Sequence, residues 1–193
     1  MCGRYDFSAE QCAEIRQIAD EINRKYGVCA WHLGEIWPTM TAPVLLSDET
    51  GITPELMSWG YRTAGPLIIN ARAETADKKP MFRESMTSRR CVIPSTGFFE
   101  WDDEKRKYFF TLPEETALYM AGLWTMRDGI PCYTILTTAA NASMQSVHDR
   151  MPLILLPNQI QPWLMDATEA MKALSRTPPQ LCRESKSAQL RLW

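Results

Sequence analysis

The stretch 91–137, CVIPSTGFFEWDDEKRKYFFTLPEETALYMAGLWTMRDGIPCYTILT, decides the fold class. Apolar and aromatic runs at Cys91–Pro94, Phe98–Trp101, Tyr108–Leu112, Leu118–Trp124 and Pro131–Thr137 are separated by turn-forming or charged segments, Ser95-Thr96-Gly97 and Asp102–Lys107 among them. That spacing predicts a meandering antiparallel sheet. Working outward toward the N-terminus, Leu67-Ile68-Ile69, Leu56–Tyr61, Val44–Leu46 and residues 3–7 read as further strands, with a turn at Glu49-Thr50-Gly51 and residues 28–43 irregular. Cys12, Ile15, Ile18, Ala19, Ile22 and Tyr26 recur at helical spacing. Ser8 and Gln11 offer a capping box at the start of that helix, and Gly27 offers a stop. Pro80 opens a second helix through Met81, Phe82 and Met86. Toward the C-terminus the pattern predicts a short helix over Ala142–Ser146, a strand over Met151–Leu156, and helices over Gln159–Met165 and Ala167–Leu174. The tail from Arg183 carries no clear pattern. The whole predicts an α+β protein, a single domain over residues 1–193, with a mostly antiparallel sheet flanked by helices.

Composition narrows the function. The chain has 193 residues, 45% hydrophobic and 23% charged, with a net charge of −2. Those are values of an ordinary globular protein and count against a general nucleic-acid coat protein. Residues 61–110 are locally basic, with ten Lys/Arg against seven Asp/Glu, which allows a basic groove or a mixed solvated face. There is no apolar run of membrane-spanning length and no signal-peptide pattern, so a cytoplasmic protein is expected, nucleoid-associated if bacterial. The six cysteines are scattered singly without CxxC or Cys/His clusters; no metal and no cofactor are expected, and the cysteines should be thiols.

Four short stretches carry chemistry. The chain begins Met1-Cys2-Gly3-Arg4. Removal of Met1, which a small second residue permits, would expose an α-amine and a thiol on adjacent carbons, with ordinary pKa values near ~8 and ~8.5. That pair can attack an amide or capture an aldehyde as a thiazolidine; the plain alternative is an early strand residue. In Asn70-Ala71-Arg72-Ala73-Glu74, alternation places Asn70, Arg72 and Glu74 on one polar face, a candidate site wall. Glu100 stands between Phe99 and Trp101; buried there it could act as an acid/base, and solvent-facing it would be an ordinary strand residue. His148, one of two histidines, precedes Asp149-Arg150 on a predicted loop.

MCGR at 1–4, INARAET at 69–75, GFFEW at 97–101 and VHDRMP at 147–152, in that order, resemble the SRAP family, the SOS-response-associated peptidase or abasic-site processing proteins. The resemblance implies a barrel-like β core; a monomer is expected. It also implies covalent capture of the ring-opened abasic deoxyribose of single-stranded DNA by Cys2. Carried over to this chain, Asn70 would position the Cys2 amine or the sugar, Glu100 would assist ring opening and imine formation, and His148 would move protons at the opened sugar. Arg4, Arg72 and Arg150 would hold phosphates. Two departures stand out. Glu35-Ile36-Trp37-Pro38 replaces a segment resembling YNIAP, and only Arg62–Pro66 fill a loop that is longer in relatives. Trp37 is then either a stacking surface or a core residue. Two competing activities are an N-terminal-cysteine peptidase or autoprotease and a class II glutamine amidotransferase; a third reading is a non-catalytic DNA-shielding module.

Overall fold

Two hairpins form within the stretch 91–137. The computed structural model describes residues 2–10, 12–27, 31–49, 51–113 and 117–186. β7 (Gly97–Trp101) pairs antiparallel with β8 (Lys107–Thr111), and β9 (Leu118–Arg127) pairs antiparallel with β10 (Ile130–Ala139). Asp128 and Gly129, at φ 51° and 76°, turn the second hairpin in the left-handed conformations that an Asp-Gly pair supplies.

The hairpins do not continue as one meander. β6 (Arg90–Ser95) pairs with β9, whereas β7 pairs with β1 (Tyr5–Phe7). The chain changes sheets at Thr96, whose N–H donates to Asp6 O at 2.9 Å and whose hydroxyl donates to the Asp6 carboxylate at 2.5 Å. Gly97 permits the close approach that follows, since a Cβ there would lie 2.5 Å from Phe110 O.

β3 (Thr41–Asp48) and β4 (Gly51–Trp59) complete a closed path, β10-β4-β3-β6-β9, sealed by the β9–β10 pairing into a five-stranded barrel. Most ladders are antiparallel, but β10 runs parallel to β4 and to β5 (Asn70–Arg72). A second sheet has the order β13-β8-β7-β1-β2, with β2 spanning Gly34–Ile36 and β13 spanning Cys182–Ser185. Trp59, Tyr5, Tyr61, Tyr133, Phe98 and Phe110 are fully buried. Each contributes on the order of 2–3 kcal/mol of burial. Trp59 stacks on Tyr133 with ring centroids 6.2 Å apart.

Several sequence expectations shift. The first helix, α1, spans Ala13–Tyr26 and starts after Ser8: Cys12 holds the cap position, and Gln11 lies outside the described residues. The Arg16 guanidinium bonds Ala9 O, so the residues after Ser8 form a turn instead of helix. Cys12 is buried as a core residue, and Gly27 ends the helix at φ 86°. Residues 28–43, expected to be irregular, contribute β2 and the start of β3; Thr50 and residues 28–30 lie outside the described residues. Leu67, Ile68 and Ile69 are only half-buried, and the strand is β5 instead. Residues 142–147 form turns organised by Asn141, whose amide donates to Pro178 O and Pro179 O at 3.0 and 2.9 Å while its carbonyl accepts from Ser143. The expected strand over Met151–Leu156 is two, β11 (Arg150–Pro152) on β10 and β12 (Ile154–Leu155) on β9. Leu153 bridges them, accepting from Ala121 N and donating to Leu136 O.

Among the described residues five helices flank the sheets: α1, α2 (Ala73–Ala76), α3 (Pro80–Ser88), α4 (Pro157–Met165) and α5 (Ala167–Ala173). None is long and apolar enough to cross a membrane among the described residues. Arg90, counted in the basic stretch, is a buried structural residue. Its guanidinium donates to Met86 O and Thr87 O at the end of α3, and to Trp163 O and Leu164 O at the end of α4.

Candidate functional site

β1 runs between β2 and β7, so the residues just before it enter the middle of a sheet. Arg4 O accepts the Phe99 N–H of β7 at 2.9 Å and the Cys2 thiol at 3.8 Å. Cys2 is fully buried. Its carbonyl accepts the Asn70 side-chain N–H at 2.9 Å across 68 residues of sequence. Asn70 is the first residue of β5, and the burial alternates there: Ala71 is buried, Arg72 is exposed, and Asn70 is half-buried with its amide on Cys2. The Asn70 Oδ1 is shielded from solvent and has no hydrogen-bond partner among the described residues.

Glu100 takes the buried alternative, 5% exposed, with Oε1 accepting the Trp101 N–H at 3.4 Å. Burial, and then the negative charge of Glu100, push the Cys2 thiol well above the usual thiol range. A thiol held as S–H is a weak nucleophile.

Thus Cys2, Asn70 and Glu100 come together. His148 comes from the loop between β10 and β11. Its Nδ1 accepts the Arg150 N–H at 2.9 Å and lies 2.8 Å from Asp149 Oδ1, with the ring half-exposed. The three arginines are not alike. Arg72 is exposed. Arg150 makes a bidentate pair with Glu74 at 2.6 and 2.9 Å and also donates to Thr137 O at 2.6 Å. That pairing holds the Glu74 carboxyl below its usual range. Arg4 donates to Glu35 Oε2 at 3.3 Å and lies 3.7 Å above the Trp37 ring. Trp37 is 48% exposed, so the core alternative for it falls away.

Sequence reasoning missed the Tyr5–Tyr133 pair, whose hydroxyls sit 2.7 Å apart in the core. No local signal links residues 128 apart. Burial raises both phenols, and it raises the thiols of Cys2 and Cys91. A group whose pKa is higher folded than unfolded stabilises fully below its unfolded pKa and loses that contribution as pH rises. Stability is therefore expected to fall from about pH 8.5 upward, by up to about 1.4 kcal/mol per pH unit for each group. Thermal unfolding followed between neutral and strongly alkaline pH checks this; a flat melting temperature across that window would contradict it.

Fold and site together define an α+β protein whose second residue, a cysteine, is drawn beside an asparagine and a carboxylate by its own first strand. The chain matches the family described as SOS response associated peptidase (SRAP) over residues 1–191, and it belongs to that family. Relatives include abasic site processing protein YoqW of Bacillus subtilis (strain 168), 33% identical over 85% of this chain and 80% of that one. Abasic site processing protein YoaM of the same organism is 43% identical over 66% of this chain and 63% of that one. A solved crystal structure of a protein from Bacteroides thetaiotaomicron has the same fold, with TM-score 0.77 and 22% identity over 97% of this chain and 93% of that chain.

Proposed function

We propose that this protein processes abasic sites by covalent capture, with Cys2 forming a thiazolidine on the ring-opened deoxyribose of single-stranded DNA. The observation that carries the reading is the joint placement of Cys2 against the Asn70 amide and the Glu100 charge. Once Met1 is removed, the Cys2 α-amine adds to the aldehyde carbon. The resulting carbinolamine loses water to give an imine, with Glu100 as proton donor to the departing hydroxyl. The thiol then adds to the imine carbon, and its proton ends on the nitrogen that becomes the ring amine. The sum is aldehyde plus amine plus thiol, giving thiazolidine plus one water. Asn70 fixes the Cys2 backbone so that amine and thiol face the same carbon. His148, from the β10–β11 loop, moves protons at the opened sugar and in reversal, and Arg4, Arg72 and Arg150 face the phosphates. The protein acts as a monomeric single domain, 1–193, in the cytoplasm.

Intact mass of the protein, before and after incubation with single-stranded DNA carrying one abasic site, tests this. The expected result is a chain lacking Met1, then a one-to-one adduct weighing the sum of both partners less one water, and no such adduct from Cys2→Ala. An adduct that persists in Cys2→Ala, or a processed wild type that forms none, would defeat the reading. Retained peptide-bond cleavage without any adduct would favour the peptidase alternative.

A further inference from the structure

Beside Cys2, six side chains from four strands and their ends form a lattice of which the proposal above uses only Arg4. Lys107, the first residue of β8, places its Nζ 3.9 Å from the Phe99 ring centroid and 5.7 Å from that of Trp101. The Arg4 guanidinium lies between Trp37 and Trp101, 3.7 and 5.0 Å from their centroids. One carboxylate, that of Glu35 in β2, bridges the two cations, with Oε1 2.5 Å from Lys107 and Oε2 3.3 Å from Arg4. Glu35 reaches them because β2 lies antiparallel on β1, setting Glu35 opposite Asp6 and carrying Trp37 alongside Arg4.

Two features mark this as a seat for something other than Glu35. Arg4 directs a single N–H to the carboxylate, and its Nε–H has no partner among the described residues. A guanidinium with unused donors in a fixed fork suits an anion with more acceptor oxygens than one side of a carboxylate presents. Trp37, half-exposed, lies at the same spot. Cations flanked by exposed aromatic faces are the means by which proteins track a single strand, phosphate on the cation and base on the ring.

We infer that Arg4 and Lys107 form a phosphodiester seat for single-stranded DNA, occupied in the free protein by Glu35, which a DNA phosphate must displace. This deepens the proposed function and rests on it. Of this pair only Arg4 was expected, with Arg72 and Arg150, to hold phosphate; Lys107 joins it, and Glu35 sets how readily the seat opens. Because the internal carboxylate already occupies both cations and offsets one of their two charges, undamaged single strands bind weakly, and capture depends more on the abasic sugar than on the backbone.

The test measures binding of an undamaged, fluorescently labelled oligodeoxythymidine by anisotropy over a salt series. Glu35→Gln keeps the side-chain shape and removes the competing charge. It is expected to bind roughly five- to tenfold more tightly, with a slope of log K against log salt steeper by about 0.7 for one further phosphate held. Glu55→Gln makes the same change in net charge at a carboxylate bound elsewhere, to Lys25 and Tyr26, and is expected to leave both quantities at wild-type values. Adding Lys107→Gln to Glu35→Gln is expected to cancel the gain. A Glu35→Gln protein that binds like wild type, or gains no more than Glu55→Gln, overturns the inference, as does a gain that survives Lys107→Gln. Adduct formation on an abasic oligonucleotide is scored separately, so that lost capture with a preserved Glu35 effect counts against the thiazolidine reading and not against the seat.

Discussion

Arg90→Met is expected to destabilise the protein by about 3–5 kcal/mol. The Arg90 guanidinium is buried and donates to four backbone carbonyls, two at the end of α3 and two at the end of α4, at 2.6 to 3.0 Å. Those carbonyls are the acceptors that a helix leaves unsatisfied at its C-terminus, and they carry its negative dipole end. One planar cation therefore terminates two helices and ties both to β6. Methionine matches the stem and leaves the acceptors without their donor, at about 1–3 kcal/mol for each that water cannot reach. Lysine restores the charge with fewer directed donors and is expected to recover only part of the loss. Urea-induced unfolding of the wild type, Arg90→Met and Arg90→Lys checks the order; equal midpoints for all three would show that the carbonyls find water instead.

Glu100→Gln is expected to slow adduct formation by about 10²- to 10³-fold while leaving the fold intact. The proposed chemistry asks Glu100 to protonate a departing hydroxyl, which an amide cannot do. A second change accompanies it. Glu100 is one cause of the raised Cys2 thiol pKa, so the neutral amide is expected to lower that pKa, although burial, the larger cause, keeps it above the usual range. A pH series of thiol alkylation in Glu100→Gln reads this directly. The slower capture and the easier thiol ionisation have opposite signs, which separates loss of an acid from general damage. Wild-type capture rates in Glu100→Gln would remove Glu100 from the mechanism.

Legibility followed distance along the chain. The helices α1, α3, α4 and α5 and most strands lie close to where periodicity, prolines and Gly27 place them, because those signals act within a few residues. Glu100 was recognisable as a candidate from its aromatic neighbours, and Asn70 with Arg72 from alternation on β5. Errors fell where distant contacts override local preference. Ser8 has the right chemistry for a helix cap, yet the residues after it form a turn bound by Arg16. Met151–Leu156 looks like one strand, yet Leu153 divides it between β10 and β9. Arg90 looks like one more cation of a basic stretch, and only the meeting of two helix ends with β6 makes it structural.

By itself, the sequence determined the class of the protein: alternating strands with a few amphipathic helices, and four motifs in order that resemble the SRAP family. Those properties are written in neighbouring residues, where side-chain period and backbone preference act without help from the rest of the chain. Tertiary structure alone decided that the strands of 91–137 divide between two sheets and that the barrel closes through β9 and β10. It alone brought Asn70 to Cys2 across 68 residues and gave Arg4 and Lys107 to Glu35. Such contacts form only when distant segments are packed together, and the side chains involved have no preference of their own for one another until burial takes the competing water away.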